Sequence, residues 1–164
     1  MSLETDIIQL RKLKMFHNLD MPKLKLVAVV GERVDFADGE AIFSHGDLPD
    51  AVFIVLSGTV GIHVTGRAGL VQVARSEGAI MLGESGLLCE HRRTLTILAE
   101  GPVEALRIPA ADFQLLLHDM PAFAFAVLKE LARQLDLVNG YLAQRAVNDA
   151  EADLITDRGA EIAS

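Results

Sequence analysis

The chain has one cysteine, Cys89, so it holds no intramolecular disulfide and no cysteine metal cluster. A lone thiol fits a reducing, cytoplasmic setting. Although 51% of the residues are hydrophobic, no uninterrupted apolar run approaches the roughly 18 residues a membrane helix needs. A secretory leader is not expected either, because Glu4, Asp6, Arg11, Lys12 and Lys14 stand where its apolar stretch would lie. Positive charge is scarce: 15 Lys and Arg face 23 Asp and Glu, a formal net charge of −8. Cationic neutralisation of phosphates supplies most nucleic-acid affinity, so a broad nucleic-acid face is excluded. A small anionic ligand remains open, since it needs one local cation and not a basic surface.

Paired histidines are missing as well. His17, His45, His63, His91 and His118 are scattered singly. A rolled-β metalloenzyme would need a His-x-His pair with a following Glu and a later His, so no metal is expected. No nucleophile–base constellation stands out, and the chain is read as a non-enzyme without a cofactor.

What is present divides into helix, strands and helix. Residues 5–15 and a stretch opened by Pro22 and running to Val30 carry helical spacing. From Arg33, short apolar runs alternate with glycine turns at Gly39, Gly46, Gly58, Gly66, Gly69, Gly78 and Gly83. The candidate strands are 33–36, 40–44, 51–57, 60–64, 70–75, 79–82, 94–99 and 103–108. Eight short antiparallel strands at this spacing predict a mainly β fold, a jelly-roll barrel over about 33–108, flanked by N-terminal helices. After Pro109 the period is helical again, with a short helix over 110–118 and a long one from Pro121 to about Val147. The domain is therefore expected to span 1–147, with 148–164 a polar tail.

The barrel segment Phe36-Ala-Asp-Gly39-Glu-Ala-Ile42-Phe43-Ser-His-Gly46-Asp47, followed by Phe53-Ile-Val-Leu-Ser57-Gly58-Thr-Val60, resembles the opening of cyclic-nucleotide-binding domains. A second stretch, Gly83-Glu84-Ser85-Gly86-Leu87-Leu88-Cys89-Glu90-His91-Arg92-Arg93-Thr94, is similar to that family's phosphate-binding cassette. The resemblance implies that Gly83 and Glu84 hold the ribose end, Glu84 accepting from the 2′-hydroxyl, while Arg93 and Thr94 hold the cyclic phosphate. The chemistry suits these residue types, because a carboxylate accepts from a sugar hydroxyl and a guanidinium offers a fork of donors to phosphate. Arg92 takes the role of Arg93 if the loop slips by one. The family's pattern has an aliphatic at Ser85, Pro at Arg92 and a small residue at Leu95. Leu95 either tightens the pocket or points into the core with Ile97 and Ala99.

By the same resemblance the purine lies against Val60, Ile62 and Val73, with the long helix closing over it near Leu135, Val138 and Asn139. Asn139 either reads base edges or is an exposed helix residue. Cyclic AMP is favoured slightly over cyclic GMP. Leu128, Leu135 and Leu142 recur every seven residues, as do Leu131 and Val138. That alternation fits either a helix laid on the barrel or a parallel homodimer seam. The seam is preferred, because the stripe continues beyond what one small barrel could cover. The roughly 17 residues after Val147 are too few for a DNA-binding unit, so either the output is a partner chain, an unknown effector protein, or the sequence is a fragment of a longer one. The alternative is a jelly-roll dimer that has lost its ligand and serves as an interaction module.

Overall fold

The structure is a computed structural model and describes residues 2–162. It divides into two units, residues 1–124 and 125–164.

In the first unit, helix α1 (Leu3–Arg11), a short 3-10 turn (Lys14–Phe16) and α2 (Met21–Val30) precede the strands. Side chains cap both helices. Ser2 Oγ accepts from the Thr5 amide, and Asp20 accepts from Lys23 N with Pro22 in the first turn. Six antiparallel strands follow: β1 (Glu32–Phe36), β2 (Ala41–Phe43), β3 (Ala51–Gly66), β4 (Gly69–Glu77), β5 (Ile80–Leu82) and β6 (Thr96–Pro109). The sheet order is β1-β6-β3-β4, with β2 also paired to β6 and β5 to β3. Helix α3 (Glu84–Leu88) lies between β5 and β6, and α4 (Ala110–Asp119) closes the unit.

The jelly-roll expectation holds, but with six strands where eight were expected. The segments 51–57 and 60–64 form one strand, as do 96–99 and 103–108, while Thr94 and Leu95 precede the second strand. Gly58 (φ +104°) is an expected turn, and Gly101 (φ +78°) lies in the gap between two expected strands. Instead both sit at irregularities in the β3–β6 ladder, where Ser57 pairs with Glu104 and Thr59 with Glu100. The strands bend together at this level and pairing resumes beyond it. Gly58 is required there, because a β-carbon would lie 2.4 Å from the Pro102 carbonyl.

Alternation along β3 fills both faces. Ala51, Phe53 and Val55 join Ile42, Val60, Leu82, Ile97, Ala99 and Val103 in one cluster. Val52 and Ile54, on the other face, are buried with Leu106 and Ile108. Burial on both faces explains the continuous apolar run from 51 to 55. Arg33 ties the first helix to the sheet through Asp6 and, at 3.1 Å, Glu104.

The second unit consists of helix α5 (Pro121–Ile162), whose first turn belongs to the first unit. The stretch 148–162, expected as a polar tail, continues this helix. Its apolar residues are few and set among acidic ones, yet Ala150, Glu151, Ala152, Leu154, Arg158 and Ala160 are good helix formers. Residues 163–164 of that tail lie outside the described residues. No described helix is long and apolar enough to cross a membrane.

Candidate functional site

The site grows from the turn between β5 and α3. Gly83 adopts φ +90°, left-handed geometry that only glycine enters freely, and starts α3. Glu84, the first residue of that helix, is buried at 5% exposure. The loop 89–95 then carries the chain back towards Gly83 and into β6.

Arg93 is the centre of the arrangement. Its side chain is only 4% exposed. Nη1 donates to the Gly83 carbonyl at 2.6 Å and Nη2 to the Ala51 carbonyl at 2.5 Å. The guanidinium carbon lies 4.2 Å from the centre of the Phe43 ring. Nε is buried and has no hydrogen-bond partner among the described residues. Burial pushes the Arg93 guanidinium below the usual arginine range, while the charges of Asp50, then Glu84 and Asp47, pull it back up.

The turn after β2 fixes the Arg93 backbone. Gly46 N donates to Arg93 O at 2.7 Å and Arg93 N to Asp47 O at 2.9 Å. His45 N donates to the hydroxyl of buried Thr96 at 3.0 Å. Asp47 closes its own turn by accepting from Ser44 N at 3.0 Å. Arg92 is exposed, its Nη1 donating to Gly46 O at 2.9 Å. The two neighbouring arginines therefore differ sharply in environment.

An open cavity of about 760 Å³ adjoins Arg93, walled by Val34, Phe36, Ile42, Phe43 and Phe53. Asp35, Glu40, Asp47, Asp50, Arg92 and Arg107 add charge to its lining. Arg107 bridges Asp50 at 3.0 Å and Glu32 at 3.3 Å.

Of the residues singled out in the sequence, Gly83, Glu84 and Arg93 come together. Ser85 and Thr94 are exposed beside them. Val60 is fully buried in the core cluster, while Ile62 is half-buried and packs against it. Val73 is 56% exposed at an irregularity of the β3–β4 ladder, where Ala74 pairs with Ile62 and Gln72 with His63. Asn139 is exposed on α5. Leu95 takes the inward course, packing against the cluster that holds Ile97 and Ala99. Sequence reasoning passed over Phe43, Ala51 and Asp50. Asp50 and Ala51 sit at the entry to β3, and the Gly46-Asp47 turn was read for the fold alone.

The six-stranded roll with its flanking helices defines the class of fold, an antiparallel jelly roll that carries the Gly83–Arg93 turn at one edge. A sequence profile described as the cyclic nucleotide-binding domain matches residues 33–119, and the chain belongs to that family. It is 30% identical over 122 residues to the cyclic AMP receptor protein of Thermus thermophilus, a match covering 74% of this chain and 56% of that protein. The crystal structure of the Thermus thermophilus catabolite activator protein superposes with a TM-score of 0.72 at 28% identity, over 80% of this chain and 62% of that one. The N-terminal domain of a transcriptional regulator from Streptomyces coelicolor A3(2) superposes with a TM-score of 0.64 at 29% identity. That likeness covers 80% of this chain and 95% of the Streptomyces domain. The chain thus spans less than two thirds of the length of its Thermus relatives.

Proposed function

We propose that this chain is a regulatory sensor that takes cyclic AMP in preference to cyclic GMP, performs no catalysis itself and hands its bound state to an effector. The observation that carries the reading is the buried Arg93 guanidinium, whose Nε–H lacks an acceptor while Gly83 and Glu84 stand beside it. A buried donor without a partner is costly, and an anionic oxygen would supply what the protein does not. Arg93 then takes the cyclic phosphate, with the Thr94 hydroxyl at its side. Glu84 accepts from the ribose 2′-hydroxyl, and Gly83 and Ser85 supply the turn around it. Ile62, backed by Val60, offers an apolar wall to the purine, with Val73 farther out and Asn139 as the base-reading candidate on α5. The preference for cyclic AMP is supported by the relative named as a cyclic AMP receptor at 30% identity.

Assembly belongs to the same proposal. Leu128, Leu135, Val138 and Leu142 are exposed on α5 at heptad spacing, which favours a parallel homodimer through this helix in a cytoplasmic protein. Neither nucleic acid nor a membrane is a proposed direct partner of this domain, in keeping with its net charge of −8.

One observation favours a second reading. Both Nη atoms of Arg93 are already engaged by backbone carbonyls, as a purely structural arginine would be. The chain would then be a ligand-free interaction module. Isothermal calorimetry with cyclic AMP and cyclic GMP separates the two. Saturable binding with cyclic AMP the tighter supports the sensor, and no heat from either at millimolar ligand leaves the interaction module.

A further inference from the structure

Arg93 has a partner that belongs to neither the cassette nor the charged groups around it. Phe43, the last residue of β2, presents its ring to the guanidinium, 4.2 Å from centroid to Cζ. The ring is itself buttressed. Phe43 leans on Phe53 at 6.2 Å between centroids, and Phe53 meets Phe36 edge-on at 6.1 Å. The backbone fixes the pair in register, because Gly46 N donates to Arg93 O and Arg93 N to Asp47 O, in the turn that follows Phe43 directly.

We infer that Phe43 is a positioning residue for the anion-binding guanidinium, an inference that rests on the reading of Arg93 as the phosphate ligand. Each Nη spends one N–H on a carbonyl, Gly83 or Ala51, and these bonds fix the plane of the group. The guanidinium carbon lies over the Phe43 ring, 4.2 Å from its centroid. A cation over an aromatic face is attracted by the ring quadrupole, more strongly where water is excluded. The two carbonyl bonds and the ring contact together leave the guanidinium little freedom, with Nε–H still uncommitted. An anion that binds an arginine already held does not have to order it, and preorganisation of this kind is expressed as affinity. An aliphatic side chain of similar bulk would fill the space without the quadrupole, so Phe43 acts through its π face and not its volume alone.

The test uses the full chain with Phe43→Leu and Phe43→Tyr. Phe43→Leu is expected to weaken cyclic AMP binding about tenfold, and Phe43→Tyr, which keeps the ring, to bind within about twofold of wild type. Equal affinity of Phe43→Leu and wild type overturns the inference, as does equal weakening by both variants, which would indicate shape alone. A second measurement needs no ligand. Urea unfolding of wild type, Phe43→Leu, Arg93→Met and the double variant gives the coupling between the two side chains. Non-additive midpoints support the contact and additive ones overturn it. A wild type that binds no cyclic nucleotide sinks the sensor reading, and this cycle then decides by itself whether Phe43 holds Arg93.

Discussion

Gly83 leaves Arg93 the space it occupies: a β-carbon on Gly83 would lie 2.5 Å from Arg93 Nη1 and 3.1 Å from Cζ. The guanidinium is pinned by Ala51 and Phe43, so it cannot yield freely. The backbone at φ +90° adds a second penalty for any residue with a β-carbon. Gly83→Ala should therefore cost about 1–2 kcal/mol in left-handed strain alone. It should also push Nη1 off the Gly83 carbonyl. Urea unfolding and ligand titration on the same variant check this, with stability and affinity expected to fall together. A variant as stable as wild type would mean that the loop relaxes around the new methyl.

Glu90 is the one non-glycine residue with positive φ among the described residues, at +54°. It is exposed in the loop that leads from α3 to Arg93. Relief of left-handed strain, roughly 1–2 kcal/mol, outweighs the extra unfolded-state freedom of glycine, roughly 0.5–1 kcal/mol. Glu90→Gly should thus raise stability by about 0.5–1 kcal/mol, read as a higher urea midpoint with an unchanged slope. A lowered midpoint would show that the Glu90 side chain contributes more than its backbone costs.

Glycine punctuation was legible where the chain turns and misleading where it bends. Gly39, Gly46, Gly78 and Gly83 all have positive φ between or beside strands, as their spacing suggested. Gly58 and Gly101 have it too, but both lie at one irregularity of a ladder that continues on either side. A single sequence cannot distinguish a turn from a bulge, because the local backbone demand is the same. The cassette was readable because Gly83, Glu84 and Arg93 lie within one short stretch. Phe43, Ala51 and Asp50 reach Arg93 from 50, 42 and 43 positions upstream. No local pattern encodes that approach, which depends on how β2 and β3 pack. The helical end of α5 escaped for the opposite reason: only Leu154, Ile155 and Ile162 are large and apolar there, too few among polar residues to mark a helix.

The exposed stripe on α5 gives an assembly prediction. Leu135 stands midway between Leu128 and Leu142, with Leu131 and Val138 completing the 3–4 alternation. Arg145 and Asp149 occupy the next positions of the same series, so the apolar seam ends near Leu142. Leu135→Asp would place a charge in a dimer interface, where an unpaired buried carboxylate is strongly unfavourable. Sedimentation equilibrium should show dimer for wild type and monomer for the variant. Wild type sedimenting as a monomer at tens of micromolar would refute the seam.

Arg92 and Arg93 are adjacent in sequence but not in environment, and this sets an order of damage for ligand binding. Arg93 is 4% exposed and partly desolvated, so it is the group that would face a buried cyclic phosphate. Removing one partner of a buried, hydrogen-bonded charge pair costs about 2–5 kcal/mol, which is roughly 1.5–3.5 decades of dissociation constant. Arg93→Ala should nearly abolish cyclic AMP binding. Glu84 would lose one hydrogen bond to a neutral hydroxyl, worth about 1.5–3 kcal/mol when one partner is charged. Glu84→Ala should therefore weaken binding by roughly one to two decades. Arg92 is solvent-exposed and donates to the Gly46 carbonyl, a contact that water can replace. Arg92→Ala should change the constant by well under one decade, and its loss of loop anchoring should appear mainly as a small fall in stability. Calorimetry on the three variants should rank them Arg93, then Glu84, then Arg92. If Arg92→Ala is the most damaging, the phosphate lies on the exposed side of the loop, and the buried guanidinium serves the fold.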